Sequence, residues 1–121
     1  MAKKIIESEK TLEARLVREI EARGGMALKY TSQYHRGIPD RICLMPTGYT
    51  AFVELKSTGK KPTKLQQHAM DQLWARGFHS EVIDSTERLE TWLRILDVTI
   101  ETRRRRIEFL RKQSADMPLF A

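Results

Sequence analysis

The sequence predicts an α/β fold in which a small mixed β-sheet is flanked by helices, with an extra helix at the C-terminal end. Three observations support this. Helix and strand patterns follow one another in the order helix, strand, hairpin, helix, strand, helix, which is typical of a layered α/β sandwich. The length of 121 residues is that of one domain with a modest core. Hydrophobic residues make up 40% of the chain and charged residues 31%, which is a normal globular balance.

The first predicted helix covers residues 9–23, between the capping residue Ser8 and the glycine pair that begins at Gly24. Its apolar residues recur at every third or fourth position, as expected for a helix with one buried side. On a helical wheel, Glu9 and Glu13 fall within this apolar stripe. A carboxylate that faces the body of the domain needs a partner there.

A short strand over residues 26–30 and a polar loop over 31–37 precede a predicted β-hairpin. The arms of the hairpin are residues 41–45 and 50–56, and the turn between them contains proline and glycine.

The hairpin register brings chemically active side chains together. If Thr47 and the following glycine form the tip of the turn, residues whose numbers sum to about 95 oppose each other. Asp40 then faces Leu55, within one residue, and lies beside Glu54. Since side chains alternate between the faces of a strand, Glu54 and Lys56 share one face.

The next elements are a helix, a strand and another helix. After a basic linker, Thr63 and Gln66 form a capping-box pattern that opens a helix ending at Gly77. Residues 79–83 read as a strand, and a helix begins at about Thr86.

The last helix has leucine and isoleucine residues at alternating spacings of three and four from Leu89 to Leu110, with Arg103 interrupting one step of this heptad pattern. Two interpretations stay open: a dimerisation helix, or a helix that packs on its own domain. We divide the chain into a main domain, residues 1–96, and a basic helical extension, residues 97–121, that could contribute to a dimer interface. The four arginines at 103–106 wrap around the helix and are expected to be solvated.

Positive charge is concentrated in one part of the chain. The net charge is +6 and the pI is about 9.7, which suggests a polyanionic partner. Between residues 29 and 64, seven basic residues accompany only two acids, Asp40 and Glu54. A surface that was basic only for solubility would intersperse the two signs more evenly.

Several protein classes are disfavoured. Cys43 is the only cysteine, so neither an intrachain disulfide nor a cysteine-rich metal site is expected, and its apolar neighbours suggest a buried thiol. The sequence has no run long enough to cross a bilayer and no signal-peptide pattern, so we expect an intracellular, cytoplasmic protein without membrane contact.

Asp40, Glu54 and Lys56 together meet the needs of phosphodiester hydrolysis. A divalent cation can supply a nucleophilic water, neutralise charge on phosphorus and help the leaving oxygen. Mg²⁺ prefers oxygen ligands and usually keeps several waters, so two carboxylates and a backbone carbonyl, such as that of Leu55, suffice. Lys56 could orient or deprotonate the water, or stabilise the phosphorane. Taken singly, each residue would also fit a purely structural role.

Four short motifs occur in a fixed order: Gly37-Ile-Pro39-Asp40-Arg41, Glu54-Leu-Lys56, Gly59-Lys-Lys-Pro62 and Leu65-Gln66. Together they resemble the VRR-NUC branch of the PD-(D/E)XK nucleases. The resemblance covers the chain from about Glu9 to Trp92. It implies a restriction-endonuclease-like fold and a metal-dependent nuclease site.

The resemblance also implies a role for each matching residue. Asp40 and Glu54 would bind the metal, Lys56 would be the catalytic lysine, and Gln66 would support the site.

The family places one more glutamate on the first helix, facing the metal. Glu13 is the preferred residue for this role, and Glu9 is the alternative. Mg²⁺ is the expected cofactor, with Mn²⁺ able to substitute, and the expected metal ligands are Asp40, Glu54, Glu13 and the carbonyl of Leu55.

The residues expected to contact DNA are basic or aromatic and lie around the motifs. They are Lys29, Tyr34, His35, Arg36, Arg41, Lys60, Lys61 and Lys64.

The leading functional hypothesis is a structure-selective DNA endonuclease, similar to a homodimeric Holliday-junction resolvase. Two active sites related by a two-fold axis would suit the cutting of two strands of branched DNA. The alternatives are a flap nuclease, a nuclease without structure preference, and a non-catalytic DNA-binding subunit.

Overall fold

The computed structural model describes residues 6–32 and 35–115, which form three α-helices, four β-strands and a short 3-10 turn. In chain order the elements are α1 (Glu9–Ala22), β1 (Met26–Lys29), β2 (Arg41–Leu44), the 3-10 turn (Pro46–Gly48), β3 (Thr50–Leu55), α2 (Lys64–Ala75), β4 (His79–Ile83) and α3 (Thr86–Ala115). The predicted α/β fold is confirmed.

The strands form one mixed sheet in the order β1-β2-β3-β4, with α2 connecting the parallel pair β3 and β4. The other two pairings are antiparallel. In the hairpin, Arg41 pairs with Val53, so the register continued by one residue places Asp40 opposite Glu54. The sequence predicts Leu55 at that place, within one residue. The shift by one residue arises because the turn has three residues centred on Thr47.

The two faces of the sheet carry different side chains. Ala51, Val53 and Leu55 are fully buried and belong to the hydrophobic core that the sheet forms with α1 and α3. Glu54 points to the opposite face and hydrogen-bonds to α2. The alternation predicted for β3 therefore separates a core face from a face available for chemistry.

Helix α3 runs without interruption from Thr86 to Ala115, so the expected division between residues 96 and 97 falls within a helix. Its first half packs on its own domain, with Leu89, Leu93, Leu96 and Ile100 buried in the core. Farther along, Phe109 and Leu110 are at least half exposed. The own-domain interpretation therefore holds up to Ile100, and the distal part leaves apolar side chains at the surface.

The four arginines at 103–106 are exposed, as expected for a solvated run. Arg103 nevertheless has partners in the hairpin turn: its Nη2 donates to the carbonyl of Thr47 at 3.1 Å, and its guanidinium lies 5.8 Å from the centre of the Tyr49 ring. This arginine helps to hold α3 against the turn.

Glu7 joins the segment before α1 to two other parts of the fold. Its backbone exchanges hydrogen bonds with Thr58, and its carboxylate accepts from the backbone N–H and the hydroxyl of Thr86 in the first turn of α3. The hydrogen bond from the Thr86 hydroxyl is the main cause that lowers the pKa of Glu7. An anion at a helix N-terminus is favourable because the first N–H groups lack intrahelical partners.

Cys43 is fully buried in the core, and burial raises the pKa of its thiol to about 12, so the thiol is inert as expected. Within residues 6–32 and 35–115, none of the helices combines the length and the apolar character that crossing a membrane requires.

Candidate active site

Glu54 is the centre of the candidate site. It is 3% exposed and lies on β3. Its carboxylate accepts hydrogen bonds from the backbone N–H of Asp40 at 3.2 Å and from Nε2 of Gln66 at 2.9 Å. The Nζ atom of Lys56 lies 3.7 Å from Oε1 of Glu54. The structure thus brings together four of the residues that the sequence predicts to be catalytic.

The segment before β2 holds Asp40 in place. Pro39 is fully buried, and the carbonyl of Asp40 accepts a hydrogen bond from the N–H of Tyr30 at 2.9 Å. Gly37 has a φ of 82°, and a Cβ at this position would come within 2.6 Å of the Leu65 carbonyl oxygen. Only glycine allows this close approach to the first turn of α2. The Gly-Ile-Pro-Asp motif therefore fixes the path of the chain into the site.

Gln66 links the start of α2 to the site through both ends of its amide. The Oε1 atom accepts from the N–H of Thr63 at 2.9 Å, while the Thr63 hydroxyl accepts from the N–H of Gln66. This reciprocal capping box leaves Nε2 directed at Glu54. A pattern that starts a helix also orients a buried carboxylate.

The environment of Glu54 favours its protonated form. Burial, and then the negative charge of Asp40, raise the pKa of Glu54 to about 7. The amine of Lys56 and the N–H of Asp40 act in the opposite direction but do not offset the burial, and the charge of Glu9 adds to the rise. A strongly perturbed carboxyl beside a second carboxylate is typical of functional sites.

Glu13 does not join this group, contrary to the prediction that it faces the metal. Its Oε1 lies 2.6 Å from Nη2 of Arg41 and 3.6 Å from Nζ of Lys29, and the hydrogen bond from Arg41 is the main cause that lowers the pKa of Glu13. The reason is geometric: Arg41 pairs with Val53, so its side chain lies on the core face that α1 covers. Of Glu9 and Glu13, the two α1 glutamates considered for the metal, Glu9 is the one whose charge contributes to the raised pKa of Glu54.

The donor atoms suit a hard divalent cation such as Mg²⁺. Asp40 and Glu54 supply carboxylate oxygens whose mutual repulsion a cation would relieve. The side chain of Leu55 is fully buried in the core, which leaves its backbone carbonyl as a candidate third oxygen. In the part of the chain that the structure describes, no three His, Cys, Asp or Glu side chains converge on one point. Mg²⁺ usually keeps several waters, so two carboxylates and one carbonyl would be enough to hold it.

Most of the residues expected to contact DNA are exposed: Lys29, His35, Arg36, Lys60, Lys61 and Lys64. Arg41 differs, because its side chain is only 12% exposed and its Nη1 donates to the carbonyl of Ala27 at 2.9 Å. Arg41 is a structural partner of Glu13. The sequence predicts a DNA contact for Arg41 and does not predict this ion pair. Tyr34 lies outside the described residues.

Comparison with known proteins adds independent information. No family model matches the sequence. A protein named "Putative nuclease p44", from Acyrthosiphon pisum secondary endosymbiont phage 1, is 40% identical over 79 residues, which span 65% of this chain and 85% of the relative. A solved structure described as a VRR_NUC domain superposes with a TM-score of 0.65 at 24% identity, covering 73% of this chain and 97% of that one. The structural match supports the restriction-endonuclease-like fold.

Proposed function

Because this chain belongs to the VRR-NUC family of nucleases, we propose that it is a Mg²⁺-dependent endonuclease that hydrolyses the phosphodiester bonds of DNA, with Mn²⁺ able to substitute. The observation that carries the proposal is the arrangement around Glu54. A buried carboxylate accepts a hydrogen bond from a side-chain amide of α2, lies beside a second carboxylate and has a lysine amine 3.7 Å away.

Each residue of the site has a distinct task in this proposal. Asp40, Glu54 and the carbonyl of Leu55 would hold the cation, which supplies charge neutralisation and an activated water. Gln66 keeps Glu54 in the orientation needed for binding. The side chain of Lys56 is 19% exposed, so its amine can reach a phosphate at the edge of the site and stabilise the negative charge on the non-bridging oxygens.

A matched cleavage panel tests this proposal. We expect cleavage of DNA to require Mg²⁺ or Mn²⁺ and to stop in EDTA. Absence of cleavage of branched, flapped or single-stranded DNA across a titration of both metals would leave the non-catalytic subunit as the better description.

We further propose that branched DNA is the preferred substrate and that the enzyme acts as a homodimer resembling a Holliday-junction resolvase. The exposed lysines and arginine around the site can bind phosphates of any DNA, so backbone contacts alone would not discriminate between structures. Comparison of junction, flap and linear duplex at the same salt concentration therefore separates the alternatives. Equal rates on all three substrates would favour a nuclease without structure preference.

The proposed dimer would use a surface of α3 that the core leaves free. Ile95, Val98 and Phe109 are 49%, 67% and 60% exposed. At 100° per residue they lie on one side of α3, nearly opposite the side that Leu93 and Ile100 bury. A partner could pack there without displacing the core. This supports the exposed stripe as the dimer interface, in preference to the buried side of the helix that carries Leu93 and Ile100.

We expect a Val98→Glu/Phe109→Glu variant to sediment as a monomer under conditions in which the wild type is a dimer, because two carboxylates would be buried in the interface. Arg111→Glu, an exposed change away from the stripe on the same helix, is the control and should remain dimeric. A monomeric wild type would contradict the proposed dimer, and a double variant that stays dimeric would contradict the proposed interface.

We expect Gln66→Ala to reduce kcat/KM by about 10- to 100-fold and to raise the Mg²⁺ concentration needed for half-maximal activity, as is usual when a residue that supports a metal ligand is removed. Gln67→Ala is a close control, because Gln67 is the next residue of α2 and bonds to Asp71 on the helix surface at 2.9 Å. DNA binding in EDTA should be similar in both variants. An equal loss of activity in the control would show that the effect arises from the helix and not from the contact with Glu54.

A further inference from the structure

A cleft of about 620 Å³ lies between residues 35–38 and α2. Its floor is apolar and consists of Ile38, Ala69 and Leu73. Its rim carries cationic and aromatic side chains, namely His35, Arg36, His68 and Arg76. Of the described residues, none that lines the cleft is acidic. Such a combination of charge and apolar surface suits a ligand with an anionic part and a flat apolar part.

The cleft opens beside the candidate active site. Ile38 is two residues from Asp40, and Gln66, one turn before Ala69 on α2, donates to Glu54. The backbone at Gly37 packs directly on the first turn of α2, which fixes one wall of the cleft. A DNA strand whose phosphate lies at Glu54 would therefore pass the mouth of this cleft.

We propose that the cleft binds one unstacked nucleotide of the DNA substrate, next to the phosphate that is cleaved. This inference rests on the proposed nuclease function and refines its substrate class. The phosphate of the nucleotide contacts Arg36 and Arg76, and the base lies on the apolar floor against the imidazole and guanidinium planes. Base stacking on aromatic rings and arginine planes is the usual mode of single-strand recognition.

The arginine at the far end of the cleft is held in place for such a contact. The Nη1 atom of Arg76 donates to two oxygens of Gln72, the backbone carbonyl at 3.0 Å and the side-chain Oε1 at 2.8 Å. The rest of the exposed guanidinium is left free for a ligand. Preorganised guanidinium groups lose less freedom when they bind phosphate.

A base within continuous duplex DNA cannot enter the cleft, because its faces are covered by the neighbouring base pairs. An unpaired base at a flap, fork or branch point enters at a smaller cost of unstacking. The cleft therefore selects DNA with an unpaired nucleotide beside the cut, independently of the sequence of bases.

Binding measurements in EDTA test the cleft without cleavage. Fluorescence anisotropy would compare a labelled fork with short unpaired arms, the same fork with abasic arms, and a blunt duplex, at one salt concentration. We expect the full-length wild type to bind the intact fork about tenfold more tightly than the abasic fork, since the two differ only in the bases available for stacking.

The Arg36→Gln/Arg76→Gln variant should bind both forks more weakly, because it loses the phosphate contacts. It should also lose most of the preference for intact bases, because it loses the guanidinium planes against which the base lies. Arg18→Gln/Arg94→Gln is a matched control, because it removes the same charge from exposed positions on α1 and α3. Arg94 also resembles Arg76 in that its guanidinium hydrogen-bonds within its own helix. The control should bind all three DNAs somewhat more weakly but keep the preference. Circular dichroism of both variants checks that they are folded.

Equal affinity of the wild type for intact and abasic forks would overturn the inference, and so would an equal loss of preference in the control variant. These outcomes are separable from failure of the nuclease proposal. Base-dependent binding without cleavage in Mg²⁺ or Mn²⁺ would refute the enzyme alone, whereas cleavage without base-dependent binding would refute the cleft alone.

Discussion

Glu54→Gln is expected to slow cleavage by at least about a thousandfold, beyond the roughly 10- to 100-fold loss typical of residues that only support a metal ligand. The substitution keeps the size of a side chain that is 3% exposed, and it removes the negative charge that would bind the cation. DNA binding in EDTA should be unchanged or tighter, because a charge that repels phosphates is lost. Single-turnover cleavage at saturating enzyme measures the effect on chemistry.

Two comparisons make this result specific. Glu21→Gln changes an exposed glutamate on α1 and should cleave at the wild-type rate. Added Mg²⁺ should raise the thermal unfolding temperature of the wild type but not that of Glu54→Gln. Cleavage by Glu54→Gln at a rate close to that of the wild type would remove Glu54 from the proposed site.

The local parts of the site are predictable from the sequence because they follow from short-range rules. The capping box at Thr63 and Gln66 fixes the start of α2, and strand alternation places Glu54 and Lys56 on one face. The turn length was the weak step in the hairpin: the sequence predicts Asp40 opposite Leu55 within one residue, and the observed register places it opposite Glu54, inside that range.

The partner of Glu13 could not be predicted in the same way. The helical wheel shows that Glu13 faces the domain, but only the side of the sheet on which α1 packs decides which residue it meets. Because α1 covers the face that carries Val53, Glu13 meets Arg41 instead of Glu54. The same kind of long-range packing creates the cleft, since nothing local in the sequence brings residues 35–38 against α2.

The stability of the metal-free protein is expected to fall as the pH rises from about 5 to 8, and Glu54 is the cause. In the folded protein its pKa is raised from 4.5 to about 7. Between these two values the folded state binds more protons than the unfolded state, so stability is highest below the unfolded pKa and is lost as the pH rises through the folded one. The shift corresponds to about 3 kcal/mol, as an order of magnitude.

Thermal or urea unfolding in EDTA at pH 5 and pH 8 measures this loss when wild type and Glu54→Gln are compared. The glutamine has one carbonyl oxygen to offer the N–H of Asp40 and the amide of Gln66, so it loses a hydrogen bond worth about 1 kcal/mol. That cost does not depend on pH. It therefore cancels when the stability difference between the two proteins at pH 8 is compared with the difference at pH 5. Glu7 and Glu13, whose pKa values are lowered, lose their contributions only below pH 5.

The expected result is that Glu54→Gln becomes more stable relative to the wild type by about 2–3 kcal/mol between pH 5 and pH 8. Saturating Mg²⁺ should remove most of this advantage at pH 8, because a cation bound by Asp40 and Glu54 would neutralise the buried negative charge that destabilises the wild type at that pH. A constant difference between the two proteins across this range would show that the pKa of Glu54 is not raised in the metal-free protein, because Lys56 offsets the burial and the charge of Asp40.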